Sequence, residues 1–120
     1  MSHKWEIEYW KDGDGRCPVC EFMHDLYNND SVGHALVREK IKRFQTWEIS
    51  QVMVGDLEDI GNRTWEFKIN VARRKVRMLG RLYRDEGPPR FLAVHAFLKK
   101  RRRLTNKDIK IAINRLKGEK

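Results

Sequence analysis

The chain lacks the features that would place it in a membrane or on a secretory route. No apolar run approaches the ~18 residues a bilayer span needs. The opening residues, MSHKWEIEYWK, hold no apolar leader segment. A cytoplasmic protein is therefore expected, in a compartment where disulfides are disfavoured. Internal repeats and low-complexity linkers are also missing. The 120 residues are read as one domain, 1–120, large enough to bury a hydrophobic core. Apolar and aromatic residues make up 40% of the chain, too many for wholesale disorder.

Cysteine is scarce: Cys17 and Cys20 are the only two, in the tetrapeptide Cys-Pro-Val-Cys. A structural zinc site takes about four ligands. His24 could share a helical face with both cysteines, but His34 lies beyond a turn, and there is no second Cys-x-x-Cys. A redox pair of the thioredoxin type needs a parallel βαβ setting, which the pattern does not offer. The simpler reading makes Cys17 a helix cap and Cys20 a small residue of the first helical turn. No metal or cofactor is expected.

Positive charge is plentiful and unevenly placed. Residues 1–62 carry 7 Lys/Arg and 12 Asp/Glu, a balance of −5. Residues 63–120 carry 19 Lys/Arg and 5 Asp/Glu, a balance of +14, so the whole chain stands at +9. Such a split points to one surface that meets a polyanion, with nucleic acid the leading partner. A membrane surface is a poorer fit, because the basic segments do not form one long amphipathic helix.

The apolar pattern predicts the order β-α-α-β-β-β-α. In WEIEYW, Trp5, Ile7 and Tyr9 alternate with Glu6, Glu8 and Trp10, a strand pattern. A helix begins at Cys17-Pro18, where proline suits the first position. A second runs from about Val32 to Trp47, with Val37, Ile41 and Phe44 on one face. Residues 48–62 read as a weakly structured connection. TWEFKINV, KVRMLGRLYRD and RFLAVHAFLKK then form three strands with short links, an antiparallel meander. A last helix starts at Thr105, paired with Asp108 as in a capping box, and stops near Gly118. The fold class is α+β: a small antiparallel sheet packed against helices.

Alternation places Lys68, Arg77 and Arg81 on one side of the meander. Arg73, Arg74 and Lys75 sit at its first turn, and Lys99, Lys100, Arg101, Arg102 and Arg103 follow its last strand. Like charges side by side on adjacent strands are costly unless an anion lies over them. These residues are the predicted RNA or phosphate contacts. Cutting RNA through its 2′-hydroxyl needs a proton acceptor, a proton donor and cations around the phosphorane, and no metal. His95 has the right intrinsic acidity, although its spacing and apolar flanks better fit a core histidine hydrogen-bonded to backbone. Tyr83 could stack on a base or lend a hydroxyl.

TWEFKI, VRMLGRLY and FLAVHAFLKK…IKIAINRL, in that order, resemble the phage-derived HigB-like branch of the RelE/ParE toxin superfamily. Its members read Leu-Trp-Glu-Leu-Arg, Tyr-Arg-Ile/Val-Leu-Tyr and His-Gly-Phe-x-Lys-Lys ahead of a helix rich in Ile, Ala and Arg. CPVCEFMHDL is similar to their Ser-Pro-Val-x-Glu-Phe-Leu helix start, with Cys17 in place of the serine cap. The resemblance spans about residues 5–117. It implies a RelE-like fold and the toxin of a type II toxin–antitoxin pair: an mRNA endoribonuclease, commonly acting on the ribosome and neutralised by a helix-turn-helix antitoxin. Matched position by position, Lys68, Arg77, His95, Phe97, Lys99 and Lys100 fall on the motifs. Lys68 replaces an arginine and so loses bidentate phosphate geometry. Val76 replaces a tyrosine and Ala96 a glycine. Arg77 is thus the expected transition-state cation, supported by Lys68, Arg81 and Lys99, with His95 as acid or base. Two other outcomes fit the same residues: a ParE-like inhibitor of gyrase, and a nucleic-acid-binding mobile-element protein without catalysis.

Overall fold

The computed structural model describes residues 3–100 and 103–120. In chain order the elements are β1 (Glu6–Tyr9), α1 (Pro18–Asn29), α2 (Ser31–Gln45), α3 (Ile49–Val52), β2 (Leu57–Gly61), β3 (Thr64–Val71), β4 (Arg74–Tyr83), β5 (Arg90–Leu98) and α4 (Asn106–Leu116). The fold is α+β, with one five-stranded sheet in the order β1-β5-β4-β3-β2. Strands β2 to β5 form an antiparallel meander, but β1 lies parallel to β5. The sheet is therefore mixed, not antiparallel as expected. Residues 48–62 are also corrected: they hold α3 and the edge strand β2. Their apolar residues, Ile49, Val52, Met53, Val54, Leu57 and Ile60, fall in or beside elements only four and five residues long, too short for a period to announce either. Burial of Val52 and Leu57 against the main core holds them in place.

Two layers of helix cover the sheet. On one side Val19 and Leu26 of α1 and Val37, Ile41 and Phe44 of α2 pack on Trp5, Phe67, Ile69, Val76, Met78 and Phe91. Phe67 lies at the centre, with its ring centroid 5.6 Å from Trp5, 5.5 Å from Phe44 and 5.9 Å from Phe91. The Trp5 indole donates to the Phe44 carbonyl at 2.9 Å, so the buried N–H is satisfied. On the other side Ala112 and Leu116 of α4 meet Leu79, Leu92 and Val94. The alternation read along β1, β3 and β4 holds residue for residue between these two clusters.

Strand β5 departs from simple alternation. Leu79 pairs with His95 but Gly80 pairs with Ala93, so Val94 is an extra residue. A bulge of this kind reverses the side on which all later residues lie. Strict alternation from Phe91 would send His95 and Phe97 under α1 and α2. The bulge instead turns His95 and Phe97 toward α4 and returns Ala96 to the main core. It also presses the Leu92 carbonyl against Gly80, where a Cβ would collide with it.

At the start of α1, Cys17 is the N-cap and its sulfur accepts from the Cys20 amide at 3.2 Å. The cap was expected; the disulfide that joins Cys17 to Cys20 was not. Their Cα atoms are 5.2 Å apart, a spacing that one turn of helix imposes and that suits a disulfide. At the junction of α1 and α2, Asp30 caps α2 through the Gly33 amide and binds Arg74 of β4 through both carboxylate oxygens. The Arg74 guanidinium holds the Asp30 carboxyl below its ordinary value.

Two outcomes follow for stability. Gly80→Ala should cost more than ~2 kcal/mol, because backbone, not a mobile side chain, occupies the space. With both sulfurs removed, Cys17→Ser/Cys20→Ala should be more stable than Cys17→Ala/Cys20→Ala by ~1 kcal/mol, since serine keeps the cap. Urea unfolding midpoints measure both.

Candidate nucleic-acid interface

The cations expected on the sheet face do share it: Lys68 and Arg77 are cross-strand partners, and Arg77 and Arg81 are four apart on β4. They are not free. α4 lies against this face, and each cation already has partners. Arg77 is 5% exposed. It donates to Asn70 Oδ1 at 2.7 Å and to its own neighbour's carbonyl, Val76 O, at 3.0 Å. Its Nε faces Glu66 Oε2 at 3.5 Å, close enough for an ion pair. Neither of those two atoms completes a hydrogen bond. Burial pushes the guanidinium below its ordinary value, and Glu66 opposes the shift. Arg81 is 8% exposed and donates to the carbonyls of Arg63 at 3.2 Å and Glu119 at 2.8 Å. Lys68 binds Glu58 of β2 at 2.9 Å. Arg77 and Arg81, expected as open phosphate ligands, are buried, whereas Lys68 is half-buried in a surface ion pair. A buried cation must be matched on the spot, and the matching groups lie close by.

His95 is likewise engaged at both ring nitrogens. Nε2 is 2.8 Å from Asp108 Oδ1, and Nδ1 is 3.5 Å from Arg115 Nη1. A guanidinium can only donate, so Nδ1 accepts and the ring proton sits on Nε2, directed at Asp108. Asp108 also takes the Thr105 hydroxyl, and its backbone amide donates to Thr105 Oγ1 at 3.2 Å. The expected capping pair is present, but the carboxylate turns to Thr105's hydroxyl and to His95. Phe97 stacks on the imidazole at 5.2 Å. The cluster ties β5 to α4, which is the core-histidine alternative with side-chain partners in place of backbone. Arg115 was not foreseen as one of those partners. Its place on the helix face that holds Ala112 and Leu116 is the signal that could have revealed it.

The remaining cations gather at one end of the sheet. There the β3–β4 turn meets the end of β5, and the Lys99 amide donates to the Lys75 carbonyl at 2.8 Å. Lys75 and Lys99 lie on the same side of their strands as Phe97. Lys99, Lys100 and Arg103 border a recess of about 130 Å³ with Phe97, Thr105 and Asp108. Arg73 projects from the turn. Among the described residues, Arg73, Lys75, Lys99, Lys100 and Arg103 have no carboxylate partner within 4.0 Å. Arg74, in the same turn, is taken by Asp30. Tyr83 is remote from this end and lies under the Arg90 guanidinium at 4.0 Å. Arg101 and Arg102 lie outside the described residues.

No group of three or more His, Cys, Asp or Glu placed to hold a metal ion occurs among the described residues. No helix among them is long and apolar enough to cross a membrane. Comparisons with protein-family models and with curated proteins found no match.

The buried pair can be probed directly. Glu66→Gln leaves Arg77 uncompensated and should cost ~3 kcal/mol or more, whereas Glu66→Leu/Arg77→Met should be near neutral. Burial, the largest influence, lowers the His95 pKa below 6.5; the Asp108 hydrogen bond opposes it and Arg115 adds to it. The unfolded chain then takes up the proton first as pH falls. Stability should decline below about pH 6.5, until folded His95 itself titrates. His95→Gln should flatten that part of the profile, read from unfolding midpoints between about pH 7 and pH 5.

Proposed function

We propose that this protein is a toxin of the RelE/ParE type, in its HigB-like branch, which binds mRNA through the basic end of its sheet. One observation carries the reading. Five cations, Arg73, Lys75, Lys99, Lys100 and Arg103, converge without carboxylate partners among the described residues, while Lys68, Arg77 and Arg81 deeper on the face are matched internally. Unmatched cations at this density suit a sugar-phosphate chain, whose binding is driven by release of condensed counterions. Phe97 lies beside them as a surface on which a base can stack. The strand order β2 to β5 followed by a helix, and the ordered motifs on it, support the RelE-like assignment.

In this reading the toxin cleaves mRNA: the 2′-oxygen attacks the adjacent phosphorus and the 5′-oxygen leaves. Water takes the 2′-proton and supplies one to the 5′-oxygen, while Lys99, Lys100 and Arg103 stabilise the phosphorane charge. A helix-turn-helix antitoxin would be its neutralising partner, and the ribosome the setting in which mRNA is presented. A second reading, RNA binding without cleavage, is favoured by one specific fact: His95, Arg77 and Arg81 already have their hydrogen bonds within the fold.

The test is fluorescence anisotropy of labelled single-stranded RNA over a range of KCl concentrations. Lys75→Gln/Lys99→Gln/Lys100→Gln/Arg103→Gln should weaken binding. It should also make the salt dependence shallower by about 0.7 for each phosphate that is no longer neutralised. An unchanged slope would remove the sheet end from RNA binding. Gel analysis of mRNA during translation in vitro separates the two readings: discrete shortened products mean cleavage, and intact bound RNA means binding alone.

A further inference from the structure

On the side of the sheet away from α4, a groove of about 420 Å³ opens between β1, α1 and α2. Its volume falls within the roughly 300–1,000 Å³ of small-molecule sites. Ile7 and Tyr9 of the edge strand, Met23 of α1 and Ile41 of α2 supply apolar walls. Arg38 and Lys42, one helical turn apart on α2, stand over it. The other ionisable side chains of the lining that can be cationic are His3 and His34; among the described residues no carboxylate lines the groove. The groove nevertheless lies in the acidic half of the chain, where Asp and Glu outnumber Lys and Arg by 12 to 7. Lys42 approaches Glu39 only at 3.9 Å, with both side chains exposed. Arg38 has no ion-pair partner among the described residues. Burial raises the Tyr9 phenol above its ordinary value, so it stays a neutral hydroxyl donor, and the Arg38 charge opposes the rise.

An apolar trough with cations at its mouth and no anion of its own is complementary to a molecule with an apolar body and one anionic head. We infer that this groove binds a small amphiphilic carboxylate, with its chain along Ile7, Met23 and Ile41 and its head group at Arg38 and Lys42. A neutral amphiphile would fill the trough but leave the two cations unmatched. A polyphosphate or nucleic acid would match the cations but leave the trough empty. The site is separate from the basic sheet end and does not depend on the RNA reading.

Octanoate and 1-octanol are the probes, titrated by calorimetry into the full chain. The parent should bind octanoate, and Arg38→Gln/Lys42→Gln should weaken it about tenfold, the effect of removing two solvent-screened charges. Binding of 1-octanol should be the same in both proteins. Arg38 and Lys42 are exposed, so the variant should fold, which far-ultraviolet circular dichroism checks. The four-site variant of the sheet end should bind octanoate as the parent does. Three results would overturn the inference: no octanoate binding by the parent, equal octanoate affinity in the groove variant, or an equal weakening in the sheet-end variant, which would mean general charge attraction.

Discussion

The extra residue at Val94 governs this structure. Without it β5 would alternate strictly, and His95 and Phe97 would point into the layer beneath α1 and α2. With it, β5 serves two cores in turn: Phe91, Ala93 and Ala96 face one layer, while Leu92, Val94 and Phe97 face the other. The bulge also places His95 opposite Leu79, within reach of Asp108 and Arg115 on α4. Gly80 is the matching concession on β4, because the bulge drives the Leu92 carbonyl into the space a side chain would need.

The distribution of charge follows from what α4 and the sheet bury. Arg77 and Arg81 on the covered face have lost their water and are matched within the fold, and the half-buried Lys68 pairs at the surface. Glu66 and Asn70 serve Arg77, backbone carbonyls serve Arg81, and Glu58 serves Lys68. Beyond the cover, at the end of β5 and the β3–β4 turn, water solvates the cations and no match is required. Net positive charge therefore accumulates where the sheet ends. A surface fit for a polyanion is thus a product of where packing stops. The groove on the opposite side reflects the same balance in a different form, with apolar walls deep inside and two cations held at the solvent rim.

Much of the architecture was legible. The alternation of TWEFKINV and KVRMLGRLY, the proline after Cys17 and the Thr105–Asp108 pair each state a local preference that nothing later opposes. The convergence of Lys75, Lys99 and Lys100 was partly legible, since both segments flank strands of a meander. The partners of the face cations were harder to see. Glu66 and Asn70 lie on the same side as Lys68 by simple alternation, but the Glu66–Arg77 pairing depends on burial, which packing from elsewhere in the chain imposes.

The sequence by itself determined the class of the fold, the sides of β1, β3 and β4, the starts of α1, α2 and α4 and the asymmetry of charge. These rest on interactions between residues close in the chain, whose period and spacing can be counted. Tertiary structure alone decided the parallel placement of β1, the strand at Leu57–Gly61 and the bulge at Val94. It also decided which cations stay free. Each of those outcomes depends on what packs against a segment from elsewhere in the chain, and no local pattern records that contact.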